Sequence, residues 1–484
     1  MSALWTHSDA AKATGGKAVG KWAIGALSID TRSVEPGDLF VPLKDSRDGH
    51  DFIPMAFEKG AGAVISEHEI TDAPALIVKD SLQALRDLAI AARKRSSAKR
   101  IAVTGSVGKT SVKEMIAHIC RADGNTHASI KSFNNHWGVP LTLAGMPQDT
   151  KYGVFEMGMN HEGELAQLTQ IVRPHIAIIT KIAPAHLAHF KSVEDIANAK
   201  AEIFSGTVSG VFGGANNDAS TSTKDGVSNT AKGGIAILPA DSPHLAQLSD
   251  LAKSRNQIYT FGMKAGAHAR VLESKYTARG SVSTLEVLGE TAEVDLPFAG
   301  AHWVENAACA LLATKLAGVK LEVAVTTLKN MYKIQGRGEV HSLQIGAKAV
   351  TLIDESYNAN PESMRAAIAS LGLSGGRKVA VLGDMLELGV TEKRLHADLA
   401  GVLEKHEIDL VLSCGPLMKS LRAALPKSMD GGWFENSDAC LAGLKSAVKD
   451  GDTIMVKGSN ASGMGKLVSA LKNNNNKKGY ANVV

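Results

Sequence analysis

The stretch Ile101-Ala-Val-Thr-Gly-Ser-Val-Gly-Lys-Thr-Ser111 constrains this chain more than any other. A short apolar strand runs into a Gly-Lys-Thr turn and then straight into a helix. Val112, Met115, Ile116, Ile119 and Cys120 follow at i, i+3, i+4, i+7 and i+8, one face of an amphipathic helix. Strand, glycine turn and helix start together make a phosphate cradle, because backbone N–H groups approach the anion and the helix N-terminus adds partial positive charge. Thr104, Gly105, Ser106, Val107, Gly108, Lys109, Thr110 and Ser111 would form it. Lys109 would reach the terminal phosphates of a nucleotide and the Thr110 hydroxyl would ligate Mg²⁺. Val103 holds the place of the first glycine in the full pattern, leaving an abbreviated Gly-x-x-Gly-Lys-Thr. Such a string also occurs in ordinary strand-to-helix turns; the strand before it and the periodic helix after it favour the nucleotide.

A chain of 484 residues exceeds one ordinary core, and its length suggests about three domains. Boundaries are expected at 1–98, 99–336 and 337–484. The first block ends in the basic stretch Ala91–Arg100 and carries short strands with Asp, Gly and Pro turns, a small α/β domain. The second opens at the phosphate loop, with strands expected at Tyr152–Glu156, Ile176–Thr180, Ile235–Leu238 and Gln257–Phe261. Helices between the earlier ones indicate a parallel sheet. From about His268 to Leu296 alternating β segments suggest an antiparallel annex, and Gly213–Gly234 reads as a surface insertion. The third block, after Gly336-Arg337-Gly338, alternates strands Lys348–Ile353, Lys378–Leu382, Asp409–Ser413 and Thr453–Val456 with helices, a doubly wound sheet. The polar tail Asn473–Lys478 is expected to be disordered.

Composition excludes several classes. A net charge of +4, with no basic stripe interleaved with aromatics, implies no nucleic-acid partner. Four scattered cysteines suit buried thiols of a reducing compartment, not a disulfide frame or zinc site. Met1–Gly20 has no apolar signal region, and no apolar run approaches the roughly 18–20 residues of a membrane span. A cytoplasmic chain without membrane insertion is expected.

Candidate chemistry collects at strand ends, where ligands bind open α/β sheets. Glu156 ends its strand and could hold Mg²⁺ or simply cap the next turn. His186 lies in the loop after the Ile176–Thr180 strand. Lys200 takes a slot on an apolar helix face formed by Val193, Ile196, Ala197, Ile203 and Phe204. Either its stem snorkels to water or its amine is neutralised or modified, since an unpaired buried ammonium is too costly. His302 and Asn306 open a helix, Asp354 ends a strand, and Arg337 sits at the domain junction.

Taken in order, these residues resemble the Mur ligases. The likeness rests on Thr104–Ser111, Phe133-Asn-Asn-His-Trp-Gly-Val-Pro140, Glu156-Met-Gly-Met-Asn160 and Ala199-Lys-Ala-Glu-Ile-Phe204. Asp354-Glu-Ser-Tyr-Asn-Ala-Asn-Pro361 and Gly383-Asp-Met-Leu-Glu-Leu-Gly389 narrow it to members that add a dipeptide. The resemblance implies three α/β domains: a small N-terminal substrate domain, a central P-loop ATPase domain with a parallel sheet, and a C-terminal Rossmann-like domain. It implies ATP-dependent joining of D-alanyl-D-alanine to UDP-N-acetylmuramoyl-tripeptide through an acyl phosphate, by a monomer. Catalytic roles would fall to Lys109, Lys200 and His186. Lys200 would be carbamylated and, with His186, hold a second Mg²⁺, with Thr110 and Glu156 as further Mg²⁺ ligands. Asn306, Arg337 and Asp354 would contact ATP. Asp30, Thr31 and Arg32, with Asp48, Gly49 and His50, would grip the UDP-sugar. Asn135, Tyr357, Asn358, Asn360 and Lys457 complete the substrate-side set.

Two positions depart from the pattern. Trp303 stands where many members carry Asn, which puts an adenine-side contact in doubt, and Asn460 stands where an Arg is common. The rival readings are a tripeptide-forming or folylpolyglutamate-type ligase of the same superfamily, or a P-loop module that does no ligation. An Asp-Asn-Pro-Arg string and an Asn-Lys-x-Asp guanine reader, which those rivals would want, are both missing.

Overall fold

The computed structural model describes residues 3–130, 133–184, 187, 189–209 and 233–479, the last six as backbone only. It is built on three α/β layers. Near the N-terminus, Lys17–Val19, Ala75–Ile77, Ala63–Ser66, Leu39–Phe40 and Leu27–Ser28 pair in that order. The helix Ser81–Arg95 packs Leu85, Leu88, Ala89 and Ala92 inward and ends in Arg93, Lys94 and Arg95, where basic side chains suit the helix C-terminus.

The central sheet has nine strands. Its parallel part runs Thr126–Ala128, Tyr152–Glu156, Lys99–Thr104, Ile176–Ile179, Gly234–Pro239 and Asn256–Gly262. The P-loop strand is thus interior, flanked on both sides, and residues 100–104 are buried. That burial is why Ile101–Thr104 reads as an apolar run without alternation. The annex is not a separate unit. Ala269–Thr277 joins the parallel sheet at Phe261–Gly262, and Gly280–Val287 and Glu290–Leu296 extend it as antiparallel hairpins.

The C-terminal sheet has the order Glu339–Ile345, Lys348–Glu355, Thr453–Lys457, Lys378–Gly383, Leu410–Cys414 and Asp430–Phe434. All neighbours are parallel except the first pair. This is a Rossmann-like layer with an added antiparallel edge strand. All four cysteines are buried and free, and no described helix is long and apolar enough to cross a membrane.

Two expectations meet a different outcome or none. The tail Asn473–Lys478 continues the helix Met464–Gly479. Leu467, Val468 and Leu471 anchor that helix by packing into the core, and extending a formed helix is cheap even for polar residues. Up to residue 232, the proposed insertion lies outside the described residues.

Candidate active site

The phosphate loop is shaped by two glycines. Gly105 has φ 148° and a Cβ there would lie 2.0 Å from Thr180 Oγ1; Gly108 has φ 85° and its Cβ would lie 2.8 Å from Asn306 Oδ1. Neither place admits a side chain. The end of the neighbouring strand clamps the loop: Ser106 N donates to Lys181 O at 2.7 Å, Ser106 Oγ to Ala183 O at 2.9 Å, and Thr180 Oγ1 to Val107 O at 2.5 Å. The helix Lys109–Arg121 starts directly after Gly108 with no side-chain cap, so its first N–H groups face the loop. Val112, Met115, Ile116, Ile119 and Cys120 are all fully buried, as their spacing predicts. Lys109 Nζ donates to Gly105 O at 2.8 Å, and burial, then Arg337, depresses its pKa against the raising effect of Glu156.

Behind the loop stands Glu156, 1% exposed. Thr110 Oγ1 donates to its Oε2 and Asn134 Nδ2 to its Oε1, each at 2.8 Å. Its backbone N donates to Ser129 Oγ at 3.1 Å, and Ser129 O accepts from the buried Lys113 Nζ at 2.8 Å. A hydroxyl and a carboxylate converging beside a phosphate cradle are the hard-oxygen donor set that Mg²⁺ takes. Lys200 lies on the helix Val193–Ala201 and is 1% exposed, so its amine does not snorkel. Burial, then Lys109, drives its pKa well below that of a free lysine. His186 lies outside the described residues.

The C-terminal layer closes over this edge. Arg337, between Gly336 (φ 70°) and Gly338 (φ 76°), donates from Nη2 to Thr110 Oγ1 at 3.1 Å and lies 4.3 Å over the Tyr357 ring. Asn360 caps the helix Pro361–Gly372 in a reciprocal capping box, and its Nδ2 comes within 3.5 Å of Ser106 O. Lys181 Nζ pairs with Glu362 Oε1 at 2.6 Å. The result is a cavity of about 920 Å³ walled by Ser106–Ser111, Glu156, Asn306, Arg337 and Tyr357–Asn360.

Asp354 is not part of it. Strand alternation turns Asp354 to the opposite face, where it accepts from Ser356 N at 3.1 Å and Ser356 Oγ at 2.6 Å and pairs with Lys472 at 3.2 Å. The next residue, Glu355, faces the cavity instead, and burial raises its pKa. The acid at this strand end that can meet a ligand is therefore Glu355, and period-two alternation from the buried Leu352 was the signal for it. Asn135 is likewise corrected in part: it lines the cavity, but its Oδ1 caps Trp137 N and Gly138 N, whereas Asn134 touches Glu156. Lys457 lines the cavity too, its Nζ donating to Asn358 O at 3.0 Å with Glu355 at 3.4 Å.

The two departures resolve differently. Trp303 is 3% exposed and stacks on Phe298 at 4.0 Å and 14°, so this helix position turns mainly to the core. Beside it, His302 is pushed down to about 4 by burial, then Lys457 and Lys181, and is neutral at pH 7. Asn460 is exposed on the short turn Asn460–Ser462.

The N-terminal candidates form their own pair of clusters, away from the cavity wall. Asp30 caps the turn Thr31–Ser33 and chelates the Arg32 guanidinium at 2.6–3.0 Å. Asp48 caps Gly49–Phe52 and meets His50 Nδ1 at 2.6 Å, while His50 Nε2 accepts from Glu67 N at 3.2 Å. A Cβ on Gly49 would strike Leu43 O at 2.5 Å.

Comparison with known proteins agrees with this architecture. The Mur ligase middle domain family matches residues 103–229 and 227–314, and the Mur ligase, glutamate ligase domain family matches residues 336–460. The chain is 35% identical over 454 residues to the UDP-N-acetylmuramoyl-tripeptide–D-alanyl-D-alanine ligase of Escherichia coli, covering 93% of this chain and 94% of that one. It is 33% identical to the Rickettsia prowazekii protein of the same name, covering 91% and 94%. A crystal structure of MurF from Acinetobacter baumannii superposes with a TM-score of 0.82 at 30% identity, covering 97% of this chain and 99% of that one. A phosphate cradle with its acid and hydroxyl, closed by an arginine from a second α/β layer, and these likenesses along nearly the whole length place the chain in the Mur ligase family, on its MurF branch.

Proposed function

We propose that this chain is an ATP-dependent, ADP-forming ligase that joins D-alanyl-D-alanine to UDP-N-acetylmuramoyl-tripeptide, producing the pentapeptide precursor of peptidoglycan. The observation that carries the chemistry is the Arg337–Thr110–Glu156 chain, in which a residue of the domain junction closes onto the P-loop. ATP supplies a phosphoryl group that turns the tripeptide carboxylate, a poor electrophile, into an acyl phosphate open to attack by the dipeptide amine.

The chain's own residues hold and orient the reactants. Lys109, the Val107 and Gly108 N–H groups and Arg337 surround the place where phosphate charge develops, and in a partly closed cavity such donors act strongly. Thr110 and Glu156 fit a Mg²⁺ ion by donor type, and that ion would neutralise charge on the transferring phosphoryl group. The residues of Thr104–Ser111, with Asn306 and Glu355, form the nucleotide wall. Tyr357, Asn358 and Asn360 lie on the substrate side, and Lys457 supports their loop. Asp30, Thr31 and Arg32, with Asp48, Gly49 and His50, hold the UDP-sugar on the N-terminal layer.

Lys200 carries a carbamate in this reading. Its neutral amine adds to CO₂: the N–C bond forms, a C–O π pair becomes a carboxylate charge, and the amine proton leaves to solvent. The carbamate, with His186, would hold a second Mg²⁺ ion, which would supply further charge neutralisation. The burial of Lys200 supports this, since a modified lysine removes the cost of a buried ammonium. The working boundaries are 1–98, 99–336 and 337–484, and the enzyme acts as a cytoplasmic monomer.

The test is reconstitution with ATP, Mg²⁺, the UDP-linked tripeptide and D-alanyl-D-alanine, following ADP release and product mass. ADP formation that needs both acceptor substrates, with a pentapeptide of the summed mass, is expected. ADP release without them, or no pentapeptide, removes the ligase reading.

A further inference from the structure

The helix Glu164–Val172 has no cap of its own. Gly163 precedes it at φ 86° with no side chain to accept from its N–H groups. The acceptor comes from 39 residues along the chain. Glu202 Oε1 accepts from Gly163 N at 2.6 Å and Oε2 from Ala166 N at 3.2 Å, the bond that an N-cap residue would make to the third helical position. Glu202 stands two residues after Lys200, at the start of the turn Glu202–Gly206 that ends the Lys200 helix.

That turn is fastened to the same helix elsewhere. Thr169 Oγ1 donates to Ile203 O at 2.8 Å and Gln170 Nε2 to Ser205 O at 3.1 Å. A Cβ on Gly206 would lie 2.4 Å from Thr169 O, so the two backbones are in direct contact. The capped helix is continuous with the loop that leaves Glu156, and Gly158, Met159, Asn160 and Glu164 of that segment line the cavity. Asn160 N donates to Glu164 Oε2 at 2.8 Å, which ties the loop to the first turn that Glu202 caps. Glu202 itself is absent from the cavity wall.

We propose that Glu202 is a positioning residue: its carboxylate, by capping the Glu164–Val172 helix, fixes Lys200 relative to the Glu156 loop. A carboxylate suits this place, because it joins charge-assisted hydrogen bonds to the favourable helix-dipole term. Lys200 does not line the cavity either, but its amine lies within the field of Lys109, and the Ala-Lys-Ala-Glu segment holds it and its anchor within three residues. The carbamate assigned to Lys200 above supplies the spectroscopic readout for this inference, which otherwise stands on the capping geometry.

Three forms of the full chain test it: the parent, Glu202→Gln, which keeps one acceptor oxygen, and Glu202→Ala. Each is equilibrated with ¹³C-bicarbonate for carbamate detection by NMR, then assayed for kcat across bicarbonate concentrations, with thermal melting as the control for folding. Glu202→Ala is expected to lose tenfold or more in kcat and most of the carbamate signal, both partly restored by raising bicarbonate, with Glu202→Gln intermediate. An unchanged kcat, or, where the parent forms the carbamate, a loss that bicarbonate does not touch in a folded variant, overturns the role of Glu202. If the alanine form does not fold, the glutamine form decides by the same criteria. If the parent shows neither carbamate nor bicarbonate dependence, the carbamate reading of Lys200 fails by itself. The double variant with Lys200→Met then decides: losses that do not add support the positioning role, and additive losses overturn it.

Discussion

Arg337 Nη2 donates to Thr110 Oγ1 at 3.1 Å while its guanidinium lies 4.3 Å from the centre of the Tyr357 ring. One side chain at the domain junction therefore touches the P-loop hydroxyl and the loop that follows the C-terminal strand. Stacking and forked donation both need the planar guanidinium, so lysine is no substitute. Arg337→Lys should lower kcat by about a hundred- to a thousandfold, typical of removing a transition-state donor, with little change in melting temperature. Steady-state kinetics with saturating substrates checks this. A variant with parental kcat would leave Arg337 only a structural part.

A second link crosses the same junction, the Lys181–Glu362 pair at 2.6 Å. Both side chains are partly exposed, so the pair adds little to stability, about 0–1 kcal/mol. Its effect should be on how readily the two layers approach. Glu362→Lys should raise the KM for ATP a few-fold and enlarge the radius of gyration in small-angle scattering. The charge-swapped double variant Lys181→Glu, Glu362→Lys should recover most of both. A single variant with unchanged scattering and KM would show that the pair has no part in closure.

The neighbours Asp354 and Glu355 should separate stability from binding. Asp354 satisfies Ser356 and Lys472 on the buried face. Asp354→Asn therefore weakens a hydrogen-bonded charge cluster, at a cost of about 1–3 kcal/mol, a fall in melting temperature of several degrees. Its KM for ATP should stay within about twofold of the parent, as expected for a side chain turned from the cavity. Glu355→Gln should instead raise that KM several-fold, with a fall in melting temperature as well because Lys457 is its buried partner at 3.4 Å, so the KM is what tells the two variants apart. Nucleotide titration and melting curves on the two variants decide it, and the opposite pattern would restore Asp354 as the ligand.

Local order was legible in the amino acids wherever one residue type has one physical use. Gly105 and Gly108 stand where a Cβ would strike Thr180 and Asn306, and the helix face from Val112 to Cys120 is buried as its spacing requires. Lys200 stood out because a lysine interrupts an apolar helix face, and it is buried. What depended on distant partners was not legible. Asp354 and Glu355 differ only in which face of a strand they take, and that is set by pairing with Glu339–Ile345 on one side and Thr453–Lys457 on the other. That Asn135 caps the helix Gly138–Ala144 while Asn134 reaches Glu156 depends on how those elements meet. Trp303 read as a lost polar contact until Phe298 supplied its stacking partner. Glu202 acts on a helix 36–39 residues away, which no local pattern announces.

At the opposite end of the P-loop strand, His175 Nδ1 accepts from Arg100 N at 3.0 Å. Burial, with Arg100 and Lys99 nearby, pushes its pKa from the ordinary 6.5 to about 3. The unfolded chain takes up a proton as pH falls through 6.5, while the fold keeps this ring neutral down to about 3. Between those values the unfolded state binds more protons, so stability falls with pH; above 6.5 neither state is protonated and the ring contributes nothing. Asparagine can place an acceptor oxygen where Nδ1 stands without titrating. His175→Asn should therefore melt with a shallower loss between pH 6.5 and 4, by about 3 °C or more, at unchanged kcat at pH 8. Parallel melting curves for the two proteins across that window would show that His175 does not carry the acid sensitivity.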